Sequence, residues 1–540
     1  MTEPPASARN GWRRRLAKDW PALVLGVAVA VVFSLSSPTE GDFWWFDAAR
    51  HAMNSVFLHD LFTQGGWRDP VAYAKAYYDQ YPGINIGFYP PFLYAVTAPV
   101  LAVFGVSHAV CQAVVACFVA GAAVGTYAIA RPVTGRLTAV SLGAAVVLVP
   151  EMALWGRQMQ LDVPAITLLI WGTWALARYL ERPARRWLMM AALLLGFAML
   201  TRVQTVFAWP LWLAVVFLHP AGRAQPWGGR LAATALYGVL ALPALASVVY
   251  FSGVVGNLAG RMPDMPALLS WANWTWYVRQ FPQQLGTLGL LLVLFGLSAL
   301  VARPPTQLRA ALSGRTGLVL AMGTLAWLFF TAVSNKEPRF GLPILPFLMM
   351  AAGLCIARWR RARYGAETDP ANARPLFLIV PLLALGIVCE FGWSGRWADV
   401  PRVTGHREAA LEAARLAPQG ARVLISAHRD GNFIFDLRAE GGRPDLAVRR
   451  ADKLLVKMTL MRQLGIEDRG LGEDDIRALL ERERVAVVVS QTGYLGDQPS
   501  MQALQRLLDS DCCFRLVRTL PITGRRNDRD ERELRVYQRR

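Results

Sequence analysis

Apolar runs and short polar stretches alternate along the first 393 residues. A bilayer core of about 30 Å needs roughly 20 mostly apolar residues in a helix. Eleven runs come near that length: 20–37, 108–130, 138–155, 163–180, 187–201, 204–219, 231–251, 284–302, 316–334, 341–357 and 375–393. A shorter apolar stretch, 91–106, would invert every later loop if it crossed, so the pattern predicts a re-entrant or interfacial helix there. The pair 187–201 and 204–219 is broken between Thr201 and Arg202. From residue 394 the pattern changes, because charges become dense and no run is long enough to span. There 421–426 (ARVLIS) and 485–490 (VAVVVS) read as buried strands, and 408–416 and 474–484 as helices. The expected fold is an α-helical polytopic membrane protein, residues 1–393, with a C-terminal soluble α/β domain, residues 394–540.

Composition agrees with a bilayer. Hydrophobic residues are 54% and charged residues 18%, against roughly 25% charged in soluble domains. The net charge of +19 does not point to nucleic acid, because the excess sits in short loops between apolar runs. With Arg13, Arg14 and Arg15 in the cytoplasm, the count puts Arg131, Arg136, Arg182, Arg185, Arg186, Arg223, Arg230, Arg303, Arg309, Arg315, Arg358, Arg360, Arg361 and Arg363 on that same side. The first run is then an uncleaved helix. Segments 38–107, 156–162, 252–283 and 335–340 and the tail from 394 lie outside. Arg- and Ala-rich usage hints at a bacterium, and the expected location is a bacterial inner membrane. Four of the six cysteines lie in apolar runs, and the adjacent Cys512 and Cys513 are expected to be two thiols.

Acids beside spans carry the chemical information, since a charge near hydrocarbon costs about 2.5–3.5 kcal/mol to insert. Asp47 follows the first run, within Trp44-Trp45-Phe46-Asp47-Ala48-Ala49-Arg50-His51. Asp162 stands at the outer end of a later pair of spans, two residues before Pro164. A structural role would make Asp47 a helix cap or a partner of Arg50 or His51, and Asp162 an N-cap. The turn Asn335-Lys336-Glu337-Pro338-Arg339-Phe340 holds two cations on the outer side, where an anionic phosphate or a nearby acid would compensate them. Arg157 and Arg202 are further cations at that level. The six His show no zinc spacing, so no cofactor is expected, a divalent ion between the two acids being the alternative.

In order and position these features resemble the membrane-embedded GT-C glycosyltransferases, specifically protein O-mannosyltransferases and lipid A aminoarabinose transferases. The resemblance covers residues 20–360. It rests on the first-loop acid Asp47, the step Tyr89-Pro90-Pro91-Phe92, Asp162 with Pro164, and the Lys-Glu-x-Arg-Phe turn leading to Pro343 and Pro346. It implies an inverting transferase that uses a polyprenyl-phosphate sugar, with an acceptor left open. Asp47 and Asp162 match the catalytic acids. Arg339, with Lys336, matches the basic turn that handles the donor phosphate, and Arg157 and Arg202, cations at the same level, are expected to join them there. Tyr89, Pro90, Pro91 and His51 are expected to line the substrate pocket. Ala48 stands where the family often has a second acid, and Tyr89 where the aminoarabinose branch has Lys. A transporter or flippase of a lipid-linked glycan is the alternative. It would place charges near the midplane and repeat its halves, whereas the charges here cluster at outer ends.

Overall fold

The structure is a computed structural model that describes residues 6–85, 87–253, 256, 265–301, 314–364, 378–393, 400–458, 465–510, 512–525 and 531–540, with backbone only at 6–18, 364 and 393. Arg303, Arg309, the expected boundary after residue 393 and residues 254–255 and 257–264 of the outer segment 252–283 fall outside them. Each of the eleven runs carries helix. Seven helices are long and apolar enough to cross a membrane: Asp19–Ser36, His108–Thr134, Asp162–Glu181, Trp227–Tyr250, Trp271–Val301, Gly314–Ala332 and Pro338–Arg363. The chain is a multi-pass membrane protein.

The remaining runs differ from uniform spans. The run 138–155 is two helices, Arg136–Leu148 and Pro150–Trp155, because Pro150 lacks the N–H that would continue the first. After Arg185–Thr201, residues Val203–Leu218 pass through 3-10, α and π turns in succession. Arg202 therefore sits in extended backbone, at φ −150° and ψ 115°. The stretch 91–106 forms the 13-residue helix Phe92–Phe104, about 20 Å long at 1.5 Å per residue and so short of the bilayer core. Trp276–Val301 bends at Gly286, whose φ of 69° suits glycine.

Small residues let the spans approach, as apolar helices in lipid require. A Cβ on Gly296 would lie 2.4 Å from Ala352 Cα, so these two helices touch backbone to backbone. Trp171 Nε1 donates to Gly121 O at 2.9 Å and Thr167 Oγ1 to Phe118 O at 2.8 Å, tying Asp162–Glu181 to His108–Thr134. Arg131 pairs with Asp19, and Arg315 with Glu181 (Nη2···Oε2 2.9 Å). Several basic-loop ends thus gather at one end of the bundle.

All strands among the described residues lie from Arg402 onward. Strands β2 (Arg422–Ser426), β3 (Ala447–Arg450), β6 (Val485–Gln491), β7 (Phe514–Pro521) and β9 (Glu533–Arg539) form one sheet in the order β3-β2-β6-β9-β7, while β1 (Arg402–Thr404) pairs with β8 (Thr523–Arg525) and β4 (Val456–Met458) with β5 (Ile466–Asp468). β3, β2 and β6 run parallel, while β9 is antiparallel to β6 and β7. Parallel strands buried on both faces need the continuous apolar runs seen at 421–426 and 485–490.

This domain is bolted to the segment after the first span. Buried Asp60 receives Arg438 through Nη2 (2.6 Å) and Nε (2.9 Å), and Tyr77 OH at 2.8 Å. Buried Asp42 accepts from His406 N (3.0 Å), pairs with His406 Nδ1 (2.9 Å), and accepts from Arg407 N (3.1 Å).

Candidate active site

The helix Phe46–Thr63 has Trp45 as N-cap, without a side-chain cap, and Asp47 in its first turn. Asp47 therefore is not the cap. A carboxylate in a first turn is favoured by the exposed N–H groups and the helix dipole. Arg50 is not its partner either, because its Nη2 lies 3.0 Å from Asp430 Oδ1 in the α/β domain. Asp47 faces Arg339 instead, Oδ2 to Nη2 at 3.8 Å. Both are partly open, with 18% and 14% of their side chains exposed.

Arg339 comes from the 3-10 turn Pro338–Gly341. Its Nε donates to Glu337 Oε2 at 2.7 Å. Its guanidinium lies 5.1 Å from the Trp45 ring, 5.6 Å from Trp155 and 5.5 Å from Phe340. Three rings fix the plane of the cation while leaving its edge free to donate, a geometry open to Arg and not to Lys.

Beside it is a cavity of about 310 Å³ lined by Trp45, Glu151, Trp155, Gln280, Gln283, Gln284, Glu337, Pro338 and Arg339. Gln284 Nε2 donates to Pro338 O at 2.7 Å, so the Gly286 bend brings these amides against the basic turn. Glu151 accepts from Trp155 Nε1 at 2.8 Å. Trp45 Nε1 and Gln284 Oε1 are buried without hydrogen-bond partners. Such groups are costly unless satisfied.

Tyr89, Pro90 and Pro91 run into the helix Phe92–Phe104. Burial, then the Asp47 carboxylate, pushes the Tyr89 hydroxyl above its ordinary range. His51, two residues behind Arg50's neighbour Ala49, packs edge-on to Tyr89 at 4.8 Å and its Nδ1 is 2.7 Å from Tyr94 OH. Burial first, and then Arg339, lowers His51 to about 3, so it is neutral at pH 7.

Asp162 is the first residue of its helix, with Leu161 as N-cap, so it is not an N-cap. It forms an ion pair with Arg202, the two side chains being 3% and 9% exposed. Arg202 also lies 5.7 Å from the Phe340 ring that contacts Arg339. Hence Asp47, Arg339, Tyr89, His51, Arg202 and Asp162 form one connected cluster. Lys336 is turned inward, donating to Phe330 O (2.8 Å) and Thr331 O (2.7 Å) at the end of Gly314–Ala332. Arg157 is buried, with Nε donating to Ala153 O at 2.9 Å and its guanidinium 5.4 Å from Phe391. Of the four cations singled out from sequence, Arg339 lines the cavity. The aromatic clamp and the glutamine wall were missed by sequence reasoning. Three glutamines within five positions at the outer end of a span, 280–284, were the available signal. Among the described residues no three of His, Cys, Asp and Glu gather as a metal site.

Two family models match the chain: dolichyl-phosphate-mannose-protein mannosyltransferase over residues 89–251, and the Alg9-like mannosyltransferase family over residues 271–395. No curated protein matches. Among solved structures, ArnT from Cupriavidus metallidurans in the apo state aligns with a TM-score of 0.62 at 15% identity, over 96% of this chain and 98% of that one. The same protein bound to undecaprenyl phosphate aligns with a TM-score of 0.59 at 14% identity, over 95% and 97%. Identity this low speaks for the fold, while the mannosyltransferase models speak for the chemistry. Taken together, they make the chain a membrane glycosyltransferase of the GT-C superfamily.

Proposed function

We propose that the protein moves a sugar from a polyprenyl-phosphate carrier to an acceptor at the outer face of a bacterial inner membrane, inverting the anomeric carbon. The observation that carries this reading is a carboxylate and a clamped guanidinium, Asp47 and Arg339, facing each other beside a cavity walled by amides. A sugar hydroxyl is a poor nucleophile. A carboxylate in hydrogen-bond reach accepts its proton as the bond forms, worth roughly 10²–10⁴ in rate. The carrier leaves as a phosphate whose charge grows, and a fixed guanidinium stabilises that charge most in the transition state. Asp47 is the proposed base and Arg339 the proposed phosphate contact. Glu337, now held by Arg339, occupies the position that phosphate oxygens would take on it.

The 3.8 Å between Asp47 and Arg339 has no room for a sugar ring. The donor therefore uses the cavity edge of Arg339, or the turn moves away from Asp47 as it binds. Lys336, Asp162, Arg202 and Arg157 have protein partners and serve as positioning residues. The undecaprenyl phosphate held by the structurally similar ArnT supports a carrier of that kind.

The test uses purified protein in lipid with a panel of polyprenyl-phosphate sugars, following release of polyprenyl phosphate. Turnover that Asp47→Asn abolishes, with donor binding retained, supports the reading. Unchanged turnover in the variant removes the base assignment. Movement of labelled lipid without turnover, or a product of retained configuration, overturns the mechanism.

A further inference from the structure

A second cavity, of about 250 Å³, lies in the α/β domain away from the candidate active site, with Ser426, Ser490, Gln491 and Tyr494 among its lining residues. Its position follows from strand order. Ser426 and Ser490 are register partners at the carboxyl ends of the parallel neighbours β2 and β6. From β2 the chain passes through Asp430–Ala439 to β3 on one side; from β6 it passes through Pro499–Asp509 toward β7 and β9 on the other. Adjacent parallel strands whose connections leave in opposite directions open a crevice, the usual ligand position in such sheets.

The lining selects the ligand. Ser426 is 2% exposed and its hydroxyl makes no hydrogen bond. Gln491, 3% exposed, lines the cavity and accepts from His428 N through Oε1 at 3.0 Å. Gln502 and Gln505 add amides held by the protein, Gln502 Nε2 donating to Gly496 O at 2.8 Å and Gln505 Nε2 to Asp509 Oδ1 at 2.9 Å, and Met501 and Leu504 add apolar side chains. Arg506 is the one charged residue of the lining. Arg506 is engaged by Glu473 at 2.7 Å. Asp468 already accepts from Ser500 N at 3.0 Å, so the N-terminus of Pro499–Asp509 is closed to an anion. Amides and hydroxyls beside apolar side chains, without net charge, match a neutral sugar ring. The volume lies just below the roughly 300–1,000 Å³ of ordinary ligand pockets, which fits one ring.

The loop that follows β2 leads from the cleft to the segment that carries Asp47. Four residues past Ser426, Asp430 holds Arg50, and Arg429 donates to Trp44 O. We propose that this cleft is a binding subsite for one neutral saccharide unit; that the unit belongs to the acceptor is the one part that rests on the transferase reading.

The test is saturation-transfer NMR on the full chain in lipid nanodiscs with glucose, mannose, galactose, N-acetylglucosamine, glucuronate and glucose 1-phosphate. Ser426→Leu fills the cleft, and Gln502→Trp blocks its rim from an exposed position. Transfer to at least one neutral sugar is expected, at least fivefold weaker in both variants. Absence of transfer to every neutral sugar overturns the proposal. So does transfer that persists in folded Gln502→Trp, or stronger transfer to glucose 1-phosphate. Because this readout is free-sugar binding that depends on Ser426 and Gln502 and needs neither a lipid-linked donor nor turnover, failure of the subsite is distinguishable from failure of the transferase reading.

Discussion

The Asp162–Arg202 pair joins the start of one span to the break between two others, and its removal has a calculable effect. Both side chains are nearly inaccessible, at 3% and 9%. Removing one partner of a buried pair leaves an uncompensated charge, which costs about 3–5 kcal/mol, whereas removing both is often near neutral. Asp162→Asn keeps the shape and removes the charge, leaving Arg202 beside Phe340 without its paired carboxylate. The expected loss for Asp162→Asn is therefore about 3 kcal/mol. The double variant Asp162→Asn, Arg202→Gln should recover at least half of it. Unfolding in mixed micelles with increasing denaturing detergent, read by tryptophan fluorescence, measures both. Because the pair shares its ring with Arg339, turnover should fall in the single variant as well. A single variant within about 0.5 kcal/mol of wild type, or single losses that simply add in the double, would refute the view that a desolvated pair holds this end of the bundle.

Four further outcomes follow from the same geometry. Arg339→Lys keeps the charge and loses the planar stack, so kcat for carrier release should fall about tenfold, and Arg339→Gln about a hundredfold or more; steady-state kinetics with a lipid-linked donor checks both. His51 has a folded pKa lowered to about 3 against the ordinary 6.5. Between those values the unfolded chain binds the extra proton, so stability falls by up to about 1.4 kcal/mol per unit as pH drops; melting at pH 7.5 and 5 should show a larger loss in wild type than in His51→Gln. Burial pushes the Asp430 carboxyl up, and Arg450 and Arg50 outweigh it; Asp430→Asn should speed hydrogen exchange in Phe46–Thr63 and lower kcat, without changing the core of the sheet. Gly296→Leu should cost more than about 2 kcal/mol, since its Cβ meets Ala352 backbone; a melt unchanged from wild type would mean the helices separate freely.

Hydropathy alone determined much of the architecture. Apolar runs near 20 residues make helices whatever their neighbours, because lipid offers no partner for an open backbone. The two apolar strand runs of the tail were legible for the related reason that parallel strands are buried on both faces. The same reasoning does not fix how a run is subdivided: Pro150 and the turn around Arg202 split segments that a sliding average joins. Asp47, Asp162, Arg202 and Arg339 were legible as charges out of place beside spans. Their partners were not. The nearest cation in sequence to Asp47 is Arg50, which binds Asp430 at 380 positions' remove, while Asp47 faces Arg339. Likewise Lys336 and Arg157 carry the same charge as Arg339, yet Lys336 Nζ and Arg157 Nε donate to backbone carbonyls inside the bundle. Sequence fixes which groups must find a counter-charge or a hydrogen bond, because burial makes the alternative expensive. Which group supplies it depends on helix packing over distances that no local pattern encodes, and that packing alone decides which cation meets the cavity.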